Sequence, residues 1–124
     1  MSPLVTRTAL ACSALLLATA LHGAPDAQST RTPQFDNDAV NVWRSTILPN
    51  APLTFHRHDH PRIIVALTGG QMKFVSQTGA IDQQTWETGK AYYLPAMPPG
   101  AMHEDVNAGS KPIDVMVIEL KHEQ

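Results

Sequence analysis

Residues 53–70 read LTFHRHDHPRIIVALTGG, and within them His56, His58 and His60 crowd into five positions. Successive side chains of a β-strand point to opposite faces, so the spacing predicts that His56 and His58 share one face of an extended run. A fourth histidine, His103, follows 43 residues after His60 in GAMHEDVN, residues 100–107, past a proline–glycine turn. Neutral imidazole is the commonest protein metal ligand. Two imidazoles on one face and one from a distant strand close three corners of a coordination sphere, which makes His56, His58 and His103 candidate ligands for a divalent ion. The competing readings are a solvated strand end rich in histidine and a small-ligand pocket without metal.

Outward from that stretch, the chain is a series of short β-type runs broken by Gly, Pro and Asn. Strands are expected over 40–48, 53–58, 62–67, 71–76, 80–86, 90–94, 102–106 and 113–120. Gln77-Thr78-Gly79 reads as a hairpin loop in which glycine takes a positive φ. Eight strands with turn signals at close intervals predict an all-β sandwich or small antiparallel barrel. No window beyond Ala20 sustains a helical period, and there is no internal repeat.

The N-terminal stretch reads differently. Arg7 precedes an uncharged run from Thr8 to Leu21, and Ala18-Thr19-Ala20 is a small-residue cleavage site in the expected place. That pattern predicts an N-terminal signal peptide over 1–20 and a mature protein in the periplasm or secreted, with no stable membrane anchor after cleavage. The apolar run is short for a span, which takes about 20 residues. Cleavage would leave 104 residues and remove Cys12, the only cysteine. A chain of about 100 residues can bury a core without disulfides. Residues 21–38 carry few large apolar side chains and two prolines and are expected to be a flexible linker, leaving one domain over 39–122.

Nine basic residues, Arg7 among them, stand against eleven acidic ones. No cluster of Lys or Arg offers to neutralise phosphates, so nucleic-acid binding is not expected. No serine or cysteine sits beside a base in a nucleophilic arrangement, and no glycine-rich loop is placed to cradle phosphate.

With these residues in view, the chain resembles the cupins, whose two short motifs lie on neighbouring strands of a small β-barrel. His56-Arg57-His58 matches the histidine pair of the first motif, and Gly69 its closing glycine. Gly89 and Pro95 open the second motif with the correct five-residue gap, and Gly100, His103 and Asn107 complete it. The resemblance runs from about Trp43 to Leu120. It implies a double-stranded β-helix, a jelly-roll-like barrel, and is closest in outline to small secreted or periplasmic single-domain cupins. The chain departs from the pattern twice. The glutamate that supplies the family's carboxylate ligand is absent, its place taken by Arg62, with Ile63 at the alternative spacing. Ala96-Met97-Pro98-Pro99 lengthens the loop before Gly100.

Three neutral histidines without a carboxylate would leave a divalent ion its full charge, and they suit Zn, Fe, Mn, Ni or Cu alike. Such ligands must shed protons, and free histidine titrates near about pH 6.5, so metal affinity is expected to fall steeply below roughly pH 6. Around the three ligands stand candidate second contacts. His60 shares parity with His58, but Pro61 follows it, which favours a place on the rim over a fourth ligand. Asp105 and Asn107 share parity with His103 and could orient a ligand; turn geometry before Ala108-Gly109 explains Asn107 equally well. Arg62 is expected to point outward as a solvated charge; turned inward, it would clamp an anionic substrate. Tyr93, with Tyr92 and Trp86, reads more as packing than as a substrate platform, and Met97 and Met102 would suit copper or simply fill gaps. The leading expectation is a metal-binding cupin acting on a small-molecule substrate by dioxygenation, isomerisation or hydrolysis. The alternative is a non-catalytic module for a sugar or organic anion. The resemblance also suggests a homodimer, with the strand over 40–48 as its edge.

Overall fold

A computed structural model describes residues 26–122. The expected signal peptide over 1–20 lies outside the described residues. Nine strands run in order: β1 Thr30–Asp36, β2 Val40–Ile47, β3 Leu53–His56, β4 Arg62–Thr68, β5 Gly70–Ser76, β6 Ile81–Trp86, β7 Ala91–Leu94, β8 His103–Asn107 and β9 Ile113–Leu120. They form two antiparallel sheets, five-stranded β1-β2-β9-β4-β7 and four-stranded β3-β8-β5-β6. This is the expected all-β architecture, with eight of the nine strands close to their expected positions.

The core lies between the inner faces and follows from strand parity. On β9, Ile113, Val115 and Val117 are buried while the alternate residues are not. They meet Ile47 and Trp43 of β2, Ile64 and Ala66 of β4, Met72 and Phe74 of β5, and Trp86 of β6. The β5–β6 hairpin turns through Gly79 at φ +83°, as its sequence predicts. Gly69, between β4 and β5, is required by close approach. A Cβ there would stand 2.1 Å from the carbonyl oxygen of Trp86.

Two expectations are corrected. The stretch 21–38 is not all linker, because Thr30–Asp36 form β1, paired with β2 from Thr30↔Thr46 to Asp36↔Asn41. All seven of its residues are exposed, so the strand is held by its backbone ladder and has no apolar alternation to reveal it. The domain therefore begins before residue 39. In addition, β2 has no free edge for a second chain, since β1 occupies one side and β9 the other.

Candidate metal centre

His56 ends β3 and His103 begins β8, and the two are direct cross-strand partners. His58 lies two residues beyond β3, in an irregular stretch before a bend at Asp59–His60. The three imidazoles converge: one ligand atom from each falls within 4.8 Å of the others. Their ring centroids are 4.9 Å (His56–His58), 4.8 Å (His56–His103) and 5.5 Å (His58–His103) apart.

Each ring is held in place. His58 lies parallel to Trp43 at 6.3 Å, and His103 stacks on Phe74 at 5.1 Å. Nδ1 of His56 is 2.8 Å from the carbonyl oxygen of Thr54. A carbonyl only accepts, so that nitrogen carries the proton and Nε2 keeps its lone pair for a ligand. Nδ1 of His58 faces Glu119 at 3.9 Å, beyond hydrogen-bond distance.

Burial governs the protonation of the cluster. Desolvation depresses His56 and His103 to about 4 and His58 to about 2, with the nearby arginines acting in the same direction. The fold therefore holds three neutral imidazoles facing each other, the form a metal requires. The opposite shift falls on Asp105, which burial pushes up to about 6 against the pull of Arg31 and Arg62. Asp105 lies 3.3 Å from His103 Nε2 and 3.6 Å from His56 Nε2.

Four buried side-chain atoms among the described residues have no hydrogen-bond partner: His56 Nε2, His103 Nε2, Asp105 Oδ1 and Trp43 Nε1. Unpaired buried polar atoms are rare in native folds and call for an explanation. Three of these four meet at one place, the point where a shared cation would sit. The donor set fits a divalent ion.

The remaining candidates separate clearly. Arg62 is buried, at 4% exposure, which corrects the outward expectation. It is in phase with Ile64 and Ala66 on the inner face of β4, its Nη1 donates to the Pro95 carbonyl at 3.3 Å, and Asp105 and Glu119 supply opposing charge. Burial lowers it to about 10, so it remains a cation at neutral pH. Asn107 is a structural residue. Its amide donates to the carbonyls of Ile47 and Lys111, and its oxygen accepts from the Gly109 N–H. Tyr93 points away from the site and is 63% exposed, because Tyr92 and Leu94 take the inward positions of β7. His60 stays outside the cluster, since the chain bends after His58 and parity no longer applies.

A cavity of about 370 Å³ opens beside His103 and Arg62. Phe74, Ile81, Leu94, Met97 and Met102 give it a mainly apolar wall. Both methionines thus line the approach, with Met102 Sδ also accepting from Gln77 at 3.5 Å. Nothing in the sequence marks Arg31 as part of the site. From β1 its guanidinium sits 5.7 Å over the Trp43 ring, beside His58.

No protein-family model matches the chain. The β-alanine degradation protein BauB of Pseudomonas aeruginosa is 30% identical over 95 residues, covering 76% of this chain and 95% of that protein. Among solved structures, a cupin domain from Bordetella pertussis Tohama I superposes with a TM-score of 0.67 at 24% identity, over 81% of this chain and all of its own. An RmlC-like cupin protein from Desulfovibrio desulfuricans superposes with a TM-score of 0.56 at 18% identity, over 89% of this chain and 97% of that one.

Proposed function

This chain belongs to the cupin superfamily, and from that premise we propose that it binds a divalent metal through His56, His58 and His103 and presents it to a small carboxylate in the adjoining cavity. The convergence of orphaned, neutral imidazole nitrogens carries the metal assignment. A divalent ion bound there supplies Lewis acidity toward an oxygen of the bound molecule. The protein's own part is to hold the imidazoles neutral, fix the His56 tautomer through Thr54, and line the approach with an apolar wall.

Arg62 supports the choice of an anion. Near the imidazoles, the charges of Arg31 and Arg62 are matched by those of Asp105 and Glu119, so a divalent ion adds charge that an anionic ligand would balance. A guanidinium beside the cavity suits a carboxylate in geometry and charge. BauB's name refers to the degradation of β-alanine, itself a small carboxylate, which agrees in class. The sequence pattern over 1–20 further supports an exported protein acting in the periplasm or outside the cell.

Elemental analysis of protein purified without added metal should find about one divalent ion per chain, and chelator should lower its melting temperature. Malonate and β-alanine should bind the metal-loaded protein more tightly than malonamide and β-alaninamide do, and Arg62→Leu should remove the difference. Protein that takes up no metal and melts identically with and without chelator refutes the metal assignment. Equal binding of carboxylates and amides refutes the anion assignment.

A further inference from the structure

Arg62 occupies the position at which the resembled motif carries its glutamate, so β4 offers the site no carboxylate. The packing shows where one has gone. Asp105 is two residues beyond His103 on β8, and parity turns both toward the imidazole cluster. The ladder fixes this: β8 pairs His103 with His56 and Asp105 with Leu53 on one side, and His103 with Ser76 and Asp105 with Phe74 on the other.

We propose that Asp105 is a direct metal ligand, supplying from β8 the carboxylate that β4 has lost to Arg62, so that the centre is three histidines and one aspartate. This rests on the metal assignment above and completes it. Its distances to two of the imidazoles are those of neighbouring donors around a common ion. Nitrogen and oxygen ligands lie about 2.0–2.2 Å from zinc, so neighbouring donors in a tetrahedron are roughly 3.4 Å apart. Asp105 stands 3.3 Å from His103 Nε2 through Oδ1 and 3.6 Å from His56 Nε2 through Oδ2. Among the described residues no hydrogen bond satisfies Asp105 Oδ1, His56 Nε2 or His103 Nε2, and the carboxylate forms no ion pair with an arginine. A carboxylate serving only to orient His56 would accept its N–H; here Oδ2 faces the nitrogen that the His56 tautomer leaves unprotonated.

The exchange has a consequence for the cavity. With the carboxylate on β8, the β4 position is released to a cation, and Arg62 can face an anionic ligand from the wall.

The test uses the full chain, with Co²⁺ as a spectroscopic probe and Zn²⁺ in competition with a chromophoric chelator. Asp105→Ala and Asp105→Asn are compared with wild type and with His103→Ala, and circular dichroism of each metal-free variant checks that it is folded. The proposal expects Asp105→Ala to weaken Zn²⁺ binding by a hundredfold or more and to change the visible Co²⁺ bands in position and intensity. Unchanged Co²⁺ bands overturn it, whatever the affinity, because the ligand set is then the same without the carboxylate. If wild type binds and His103→Ala does not, the three-histidine reading stands even when the Asp105 proposal fails. If wild type binds neither ion, both fail together.

Discussion

Lowering the pH from 7 to 5 separates three accounts of this centre by orders of magnitude. Three solvated imidazoles titrating near about 6.5 would each lose roughly 25-fold in availability over that interval, so metal affinity would fall on the order of 10⁴-fold. Burial has already depressed His56 and His103 to about 4 and His58 to about 2. Protons therefore compete weakly at pH 5, and the three histidines together account for a fall of only about 1.2-fold. The sequence-based expectation of steep loss below pH 6 is accordingly replaced. If Asp105, raised to about 6 by its burial, must give up a proton to bind, one further step of about tenfold is added. The expected wild-type profile is thus a shallow, single-proton decline of about tenfold between pH 7 and 5, with Asp105→Asn flat over the same range. Competition against a chelator of known pH dependence measures it. A fall of a thousandfold or more would refute the burial argument, and a flat wild-type profile would refute the raised titration of Asp105.

Metal-free protein should lose stability on acidification. Each depressed histidine leaves the unfolded chain binding a proton that the fold refuses, so its contribution is lost as pH falls from 6.5 toward 4. Asp105, raised, acts in the opposite direction as pH falls from about 6, but one group opposes three. Thermal melts of chelated protein at pH 7 and 5 should show the decline; an equal or higher melting temperature at pH 5 would contradict it. Asn107→Ala removes three hydrogen bonds at a buried turn and should cost about 2–4 kcal/mol of stability, while metal affinity in the folded fraction stays as in wild type; denaturant titration and metal titration read the two separately. The exported form should begin at Leu21, which intact-mass measurement will verify, and full-length protein in a membrane fraction would exclude it.

The parts of this molecule that were legible in the sequence share one property: a physical signal confined to a few adjacent residues. Strand ends were marked by Gly, Pro and Asn, and the inward set of β9, Ile113, Val115 and Val117, alternates visibly with its neighbours. His56 and His103 were likewise marked by short motifs. For His58 and His60 strand parity is the wrong guide, because the chain has already left β3 by residue 57. His58 reaches the site by packing against Trp43; His60, two residues on, does not.

The arginines show why the charges of the site were harder to read. In RIIVALT both faces of β4 are apolar after the first residue, so alternation could not say which way Arg62 turns, and general surface preference pointed outward. Inside, it donates to the Pro95 carbonyl and feels opposing charge from Asp105 on β8 and Glu119 on β9, all remote from it in the sequence. Arg31 was less visible still, since it lies on a strand with no buried residue. Asp105 stands out in the sequence only as a residue in phase with His103. Its significance depends on its having, among the described residues, no close charged partner other than the histidines, and that is a property of the packed structure. The same packing makes the assignment self-consistent. A buried carboxylate between neutral imidazoles and cationic arginines, bonded to neither, is accounted for by an ion that binds the carboxylate and the imidazoles together.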